Sequence, residues 1–316
     1  MKIKKIEVLP YDSNWPAIYV KEAALLKKIL TSHCLETYHI GSTSIEGLVA
    51  KPSIDVICVV DHLQNSLILE SNGYTYKKEL NIPLRYYFSK NTPYSNLNLH
   101  VVEKDHGFIE LNLKFRNYLR AHPEDVKRYA DLKKDLLKDP GSFQKEEGRF
   151  SNYSLSKDTF IKDILKKAGY QGSLVNFCMH RNEWNQYHQM RKAEIFDPLG
   201  IVYDMNHPTI TQKGHFHFVL YKGIEIVSCA HIEYLNESEA ALRTISTEKN
   251  QKRKGYGTTL LKFLEKWLLH HSIKVLKLHA NTSQISFYKK LNYHDMDFDD
   301  PCIHADYKNM GKFLKE

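Results

Sequence analysis

The spacing of apolar and polar residues predicts both helices and strands in the first half of the chain. Residues 15–30 (WPAIYVKEAALLKKIL) repeat apolar positions at helical spacing, whereas 53–60 (SIDVICVV) is the short β-branched run of a buried strand. Residues 96–102 (NLNLHVV) alternate like a second strand. The segment 115–137 (FRNYLRAHPEDVKRYADLKKDLL) predicts two helices, with Pro123 at the start of the second. This mixture indicates an α/β or α+β fold.

Strands and helices alternate in the second half. Residues 183–196 have a helical pattern, and 215–235 (HFHFVLYKGIEIVSCAHIEYL) predicts a hairpin about Lys222–Gly223. A strand at 239–247 leads into a glycine loop and a helix. The remaining predicted elements are a strand at 273–280, a helix at 283–291 and a last strand near 303–310. This order is typical of an α/β domain.

A linker is expected where the two halves meet. The lysine-rich helical stretch 156–168 (SKDTFIKDILKKA) is followed by Gly169–Ser173 (GYQGS), which predicts a helix end and a short connection. We therefore expect one domain at 1–170 and a second at 174–316. The length of 316 residues agrees with two domains.

Composition narrows the class of protein. The hydrophobic fraction of 42% supports ordinary globular cores, and a formal charge of +8 favours anionic partners such as nucleotides, coenzymes or RNA. A solvated lysine surface explains the same charge, and because the basic residues are scattered, we do not expect nucleic-acid binding. The five cysteines lack a CxxC pair, and no apolar run reaches membrane-spanning length. We expect a cytoplasmic protein with reduced thiols and no membrane association.

The segment 250–264 (NQKRKGYGTTLLKFL) predicts a phosphate-binding loop. It lies between a strand ending near Thr247 and a helix from about Thr258 to His270. Glycines allow backbone N–H groups to point into one cavity, and the helix N-terminus adds a positive dipole. The dinucleotide-binding fingerprint needs a third glycine and a later acidic residue, which this segment does not have.

Residues 242–257 (LRTISTEKNQKRKGYG) resemble the acetyl-coenzyme A loop of the GNAT acetyltransferase superfamily. Lys252 stands at the signature's Gln/Arg position, and the glycines fall at Gly255 and Gly257. Residues 278–293 (LHANTSQISFYKKLNY) resemble the family's second signature, with Asn292–Tyr293 in place of Gly-Phe. With a closing strand near 303–310, the resemblance covers roughly 176–316.

The resemblance implies an N-acetyltransferase in which an amine attacks the thioester of acetyl-CoA directly. The acceptor would be a small-molecule or peptide amine. Tyr288 would be the acid for the departing thiolate, and Glu233 or His231 the base. The implied acetyl-CoA contacts are Ile245 and Thr247 for the pantetheine arm, Lys252, Arg253, Lys254, Gly255, Tyr256, Gly257 and Thr258 for the pyrophosphate, and Asn281 for the pantetheine. His215 and His217 alternate with phenylalanines, a pattern for which we predict no metal site.

Residues 38–60 (YHIGSTSIEGLVAKPSIDVICVV) carry a second constellation, with a Gly-Ser turn followed by Asp55 in a strand. Together with YDSNWP, LHVVE and FRNYLRAHP, they resemble the GrpB family, which has a nucleotidyltransferase-like fold. The resemblance covers roughly 5–168 and implies a phosphate or nucleotide site. Its candidate residues are His39, Gly41, Ser42, Ser44, Lys51, Asp55, Arg85 and His100.

Nucleotidyl transfer usually needs a second strand carboxylate beside the first, and here that position is Ile57. Glu103 and Glu110 are the nearby acids. We therefore favour an acetyltransferase fused to a phosphate-binding domain. The alternatives are a nucleotidyltransferase in the first half, or a non-catalytic module that binds coenzyme A or a nucleotide.

Overall fold

A computed structural model of the protein describes residues 7–92, 95–144, 151–300 and 306–315. The chain forms two compact units that divide after Leu174, one residue beyond the predicted linker. Each unit contains a mixed sheet with helices, so the predicted α/β class is confirmed. None of the described helices combines the length and apolar character needed to cross a membrane.

The first unit is built on a five-stranded sheet with the order β1-β2-β5-β4-β3. Strands β2 and β5 are parallel and the other neighbours are antiparallel. The strands are β1 (Cys34–Ile40), β2 (Ser53–Val60), β3 (Thr75–Tyr76), β4 (Arg85–Asn91) and β5 (Asn96–Glu103). The helices are α1 (Trp15–Leu30), α2 (Gly107–Ala121), α3 (Pro123–Lys138), α4 (Asn152–Leu155) and α5 (Asp158–Lys167).

Local sequence explains most of these elements. Helix α1 carries Pro16 in its first turn, where a missing N–H costs no hydrogen bond. Strand β2 lies between two neighbours and is almost continuously buried, as its apolar run predicts. Helix α2 begins at Gly107 rather than near Phe115, because the His106 side chain accepts a hydrogen bond from the Phe108 amide and caps an earlier start.

The second unit has a seven-stranded sheet with the order β11-β12-β10-β9-β8-β7-β6. Strands β9 and β10 are parallel. The strands are β6 (Ser173–Phe177), β7 (His215–Lys222), β8 (Glu225–Tyr234), β9 (Glu239–Thr247), β10 (Val275–Asn281), β11 (His294–Asp295) and β12 (Tyr307–Phe313). The helices are α6 (Arg181–Arg191), α7 (Tyr256–His270) and α8 (Ile285–Lys289).

Successive side chains along β7 and β8 point to opposite faces of the sheet, one packed against α6 and the other against α7. Cys229 and Val219 pack with Tyr187 and Met190 of α6, and Trp267 of α7 lies against the rings of Phe216 and Phe218. Helix α7 begins two residues before the predicted position, and α8 is shorter than predicted because a 3₁₀ turn at Thr282–Gln284 precedes it. The closing strand begins at Tyr307, and residues 303–305 of its predicted range lie outside the described residues.

Candidate functional site

In the second unit, a cleft opens between the parallel strands β9 and β10. They pair only at their first three residues, Glu239–Ala241 with Val275–Lys277. Strand β9 also bulges at Arg243, since the β8 partners jump from Leu242 to Thr244. A bulge bends a strand away from its neighbour. Within the described residues, the β9 edge from 242 to 247, which includes Ile245 and Thr247, therefore has no strand partner on the β10 side.

The loop after β9 ends at the N-terminus of α7. Gly255 is the N-cap residue with φ of 85°, a conformation that glycine adopts without a Cβ penalty. The N–H groups of Tyr256, Gly257 and Thr258 have no acceptor within the helix, because the first turn of any helix leaves its donors free. The predicted cradle therefore consists of backbone donors at the positive end of the helix dipole.

Side chains around this loop are partly engaged. Lys252 forms an ion pair with Glu194, and the ammonium of Lys254 donates to Gln251 Oε1 at 2.9 Å. Arg253 is exposed, with φ of 64°. A Cβ added to Gly257 would lie 3.6 Å from Thr247 Oγ1 and 3.8 Å from the Phe287 ring. The second glycine therefore faces the space between the end of β9 and α8.

Two further predicted site residues are Asn281, at the end of β10, and Tyr288, in α8. Tyr288 is buried between the rings of Phe287 and Tyr293, and burial raises the pKa of its phenol. Asn281 ends β10, and its Oδ1 accepts from both the amide and the hydroxyl of Ser283, at 2.9 and 2.6 Å. Tyr288 thus keeps its proton, and Asn281 has only its NH₂ group left for a ligand.

The candidate bases His231 and Glu233 belong to one polar network on β8. His231 Nε2 lies 2.9 Å from His215 Nδ1, and His215 Nε2 lies 3.8 Å from Glu233 Oε1. Burial, the neighbouring His217 and the Arg191 charge hold the pKa of His231 far below its ordinary value. The network therefore links the two candidates through a third residue, His215.

His217 stacks on His231, with ring centroids 4.4 Å apart, and is fixed by two further hydrogen bonds. Its Nε2 donates to the Thr209 carbonyl at 2.9 Å, and its Nδ1 accepts from the Tyr187 hydroxyl at 2.6 Å. Burial lowers the pKa of His217 to about 4. Among the described residues, no three His, Cys, Asp or Glu side chains are arranged to hold a metal ion.

Sequence reasoning missed the charged residues that fix Glu233. Arg243 donates to Glu233 and also to Asp300, with Nη1 2.6 Å from Asp300 Oδ2. His279 Nε2 lies 2.9 Å from the same Asp300 oxygen. These residues come from β9, β10 and a distant loop, and no local pattern in the sequence links them.

In the first unit, the Gly41–Ser42 turn lies directly against Asp55. Gly41 has φ of 69°, and a Cβ added there would overlap Asp55 Oδ2, so the position requires glycine. Asp55 Oδ1 accepts from Asn98 Nδ2 at 2.8 Å, and the Tyr87 hydroxyl donates to Asn98 Oδ1 at 2.6 Å. Burial raises the pKa of Asp55 to about 6, although the Asn98 hydrogen bond and nearby lysines oppose the shift.

Lysines surround this carboxylate. Lys133 of α3 donates to Ser42 Oγ at 2.6 Å and to the Val49 carbonyl at 2.9 Å. The ammonium groups of Lys51 and Lys157 lie 4.7 and 4.6 Å from the centre of the Tyr153 ring. The sequence prediction included Lys51 but missed Lys133 and Lys157. Lys133 lies on α3 and Lys157 in the turn before α5, and no local sequence pattern distinguishes them from the other lysines of these segments.

The other candidate residues of the first unit have partners of their own. His39 is buried, with Nε2 3.1 Å from Thr43 Oγ1, and burial lowers its pKa to about 4. The Ser44 hydroxyl donates to the Gly41 carbonyl at 2.6 Å. Arg85 Nη1 lies 2.7 Å from His100 Nδ1, and burial lowers the pKa of both groups, that of Arg85 to about 10. Arg85 and His100 thus contact each other directly.

Of the two acids expected near Asp55, Glu103 does not join it, and the Glu110 carboxylate lies beside Gly172. Ile57 packs in an apolar cluster with Ile40, Val59 and Val102. Glu103 lies five residues along β5 from Asn98, about 17 Å away at strand spacing, and accepts from the Leu63 amide. In the part of the chain that the structure describes, a two-metal arrangement at Asp55 has no second carboxylate.

Residues 178–293 match the model of the Acetyltransferase (GNAT) family, and the second unit is a domain of this N-acetyltransferase class. Residues 5–167, just over half of the chain, match the GrpB protein family model. The protein therefore belongs to the GrpB family and carries a GNAT domain, as the two resemblances predicted.

Relatives with curated sequences match the first unit. The UPF0157 protein YqkA of Bacillus subtilis is 36% identical over 169 residues, which cover 52% of this chain and 48% of YqkA. The UPF0157 protein BH1888 of Halalkalibacterium halodurans is 34% identical over 170 residues, 52% of this chain and 82% of that protein. The chain thus spans about half of the length of YqkA and most of BH1888.

Solved structures are similar to each unit. The conserved protein GrpB from Enterococcus faecalis is 36% identical, covers 51% of this chain and 96% of its own, and has a TM-score of 0.45. A putative N-acetyltransferase from Lactobacillus plantarum is 18% identical, covers 45% of this chain and 99% of its own, and has a TM-score of 0.40.

Proposed function

We propose that the protein transfers the acetyl group of acetyl-CoA to the amine of a small molecule or peptide. The observation that carries this proposal is the unpaired edge of β9, which leads to the free N–H groups of Tyr256, Gly257 and Thr258. A pantetheine arm pairs with such an edge, and a pyrophosphate binds at such a helix N-terminus. The two sites follow each other along the chain, as one extended coenzyme requires.

Acetyl-CoA supplies an activated acetyl group, and in the net reaction the C–S bond breaks, an amide C–N bond forms and one proton moves from the amine to the thiol. Backbone N–H groups of β9 near Ile245 polarise the carbonyl. Tyr288 donates the proton that the departing sulfur takes up. Glu233 receives the proton of the amine, and the neutral His231 passes it on through His215. Two groups with separate roles thus handle the two proton transfers.

Acetyl-CoA is expected to raise the unfolding temperature of the protein. A ligand present at 100 times its dissociation constant stabilises the native state by about 2.7 kcal/mol. The measurement is thermal unfolding with acetyl-CoA and with CoA, followed by a turnover screen over polyamines, aminoglycosides, amino acids and peptides. Absence of any shift with acetyl-CoA would remove the proposal.

Replacing Gly257 by Val is expected to weaken acetyl-CoA binding by roughly 10- to 100-fold, the effect of losing one or two hydrogen bonds to a charged group. The added side chain would point toward Thr247 and Phe287, where the coenzyme passes. Thr259→Val is the matched control, because Thr259 is exposed and lies two residues further along the same helix. Isothermal titration of both variants checks this, and equal affinities would contradict the loop assignment.

The first unit has a second proposed function, the binding of a phosphate-bearing ligand. The close approach of the Gly41–Ser42 turn to Asp55 supports it, because this places hydroxyl donors beside a strand carboxylate as in nucleotidyltransferase-fold proteins. Catalysis of nucleotidyl transfer is not proposed, since Ile57 stands at the position of the second acid and, among the described residues, no three His, Cys, Asp or Glu side chains are grouped to hold a metal ion. Binding of ATP to the whole chain is the first test.

A further inference from the structure

Three lysines from three separate segments surround Asp55, which lies against the Gly41–Ser42 turn. Lys51 precedes β2, Lys133 lies on α3, and Lys157 lies between α4 and α5. Lys133 contacts Ser42, while Lys51 and Lys157 flank the same Tyr153 ring. Within the described residues, Asp55 is the carboxylate that attracts each of these three lysines. We call Lys51, Lys133 and Lys157 the lysine triad.

Burial of the lysine triad destabilises the folded protein unless a negative charge compensates for it. Lys133 is 3% exposed, and buried ammonium groups normally have a charged partner. Burial and repulsion from Lys157 lower the pKa of Lys133 to about 6, and burial and repulsion from Lys51 lower that of Lys157 to about 8. Asp55 attracts all three but carries a single charge. Among the described residues, the lysine triad therefore has less negative charge around it than positive charge.

We propose that the lysine triad and Ser42 hold a phosphate group in the first unit without a divalent cation. This deepens the phosphate-binding function proposed above, on which it rests. With the lysines and Asp55 all ionised, the cluster has an excess of two positive charges, which a phosphate dianion balances. Three ammonium groups and a hydroxyl supply hydrogen bonds to its oxygens.

The charge pattern explains why no metal is needed. A cation that bridges protein and phosphate is usually held by carboxylates. Here one carboxylate, Asp55, faces three lysines, and Ile57 occupies the position of a second acid. The ammonium groups take the place of the metal as the positive charges that offset the phosphate. The source of the phosphate group is either a nucleotide or a free phosphate, and both share this chemistry.

Replacing a lysine of the triad distinguishes a ligand-binding role from a structural role, because the two roles predict opposite changes in the unfolding temperature of the ligand-free protein. Lys157 has no hydrogen-bond partner in the described residues, so Lys157→Met removes a desolvated charge and adds an apolar side chain of similar length. We expect this variant to raise the unfolding temperature of the ligand-free protein while it loses phosphate binding. A lysine retained for structure would lower that temperature when replaced.

The test is isothermal titration of the whole chain with ATP, pyrophosphate and inorganic phosphate, each in EDTA and with Mg²⁺. We expect binding in EDTA, weakened at least about tenfold by Lys51→Met and by Lys157→Met and retained in Lys157→Arg. Lys138→Met is the matched control, because Lys138 lies on α3 with Lys133 but is exposed and paired with Asp135. Binding of ATP alone identifies a nucleotide, and binding of pyrophosphate or phosphate identifies a free anion.

The pH dependence gives an independent readout. The groups that face the lysine triad are Asp55, Tyr129 and Tyr153. The pKa of Asp55 is about 6, that of Tyr129 is raised above its ordinary value, and that of Tyr153 is about 12. None of these three groups therefore titrates between pH 7 and 9. The bound anion favours protonated lysines, so affinity should fall as pH rises from 7 to 9. In Lys157→Met the slope should be shallower.

Two outcomes would overturn the inference: a requirement for Mg²⁺, or unchanged affinity in both methionine variants. If no probe binds the wild-type chain in either condition, the phosphate-binding function itself fails. Either of the first two outcomes overturns the lysine triad as a metal-free phosphate site but leaves phosphate binding itself in place. The failure of the inference and the failure of the phosphate-binding function are therefore distinguishable.

Discussion

Replacement of Tyr288 by Phe is expected to lower turnover by about 10²- to 10⁴-fold while acetyl-CoA affinity stays nearly unchanged. This is the usual contribution of a positioned acid or base. The substitution removes one hydroxyl and keeps the ring between Phe287 and Tyr293. Steady-state kinetics and titration with acetyl-CoA measure the two quantities separately.

The pKa of Tyr288 supports this expectation. Burial raises it, which favours the protonated form of the phenol. A thiolate forms at the moment the C–S bond breaks, and a proton held nearby is then transferred without a change of conformation. Loss of the hydroxyl therefore affects the transition state more than the bound coenzyme.

Tyr293→Phe is the matched control for this variant. Tyr293 is also buried, and its hydroxyl donates to Glu265 Oε1 at 2.8 Å, a contact with no role in the proposed chemistry. We expect this control to lose about 1 kcal/mol of stability and to keep its turnover. Equal turnover in Tyr288→Phe and the wild type would dismiss Tyr288 as the acid.

The two folds could be predicted because their signals are local. The apolar run of β2 and the helical spacing of α1 give both elements their observed bounds. The glycine loop before α7 is likewise a short, continuous motif, and the match of residues 178–293 to the GNAT family confirms the domain that it indicated. Each of these features depends on neighbours within a few residues.

Other features depend on contacts between distant segments. Lys133 is one of several lysines on α3, and only the return of this helix to Ser42 distinguishes it from exposed ones such as Lys138. The separation of β9 from β10 follows a bulge at Arg243, for which the strand sequence gives no sign. Arg243 and Asp300 meet across 57 residues of chain. Patterns of hydrophobicity carry no information on such pairs.

Combined mutations test the roles proposed for the individual site residues of the second unit. The structure adds one constraint, because it joins His231 to Glu233 through His215 rather than leaving them as independent alternatives. Groups that act in series lose their function together when any one is removed. This property allows a test by combined mutations.

The variants His231→Gln and Glu233→Gln are each expected to lower kcat/KM by about 100-fold, and the double variant should be no slower than either single one. Because the pKa of His231 lies far below 6.5, its imidazole is already neutral, so activity should not decline through a histidine transition near pH 6.5 as pH falls. Independent bases would instead give multiplied losses in the double variant.

Glu239→Gln is the control for the carboxylate, since Glu239 also lies on this sheet and pairs with Lys277 at 3.0 Å. Glu233→Gln breaks a pair with Arg243, so a change in unfolding temperature alone would mark Glu233 as structural. If turnover is lost while acetyl-CoA still raises the unfolding temperature by the same amount, Glu233 lies in the path of the proton. Full activity in both single variants would exclude this path and require a base elsewhere in the cleft.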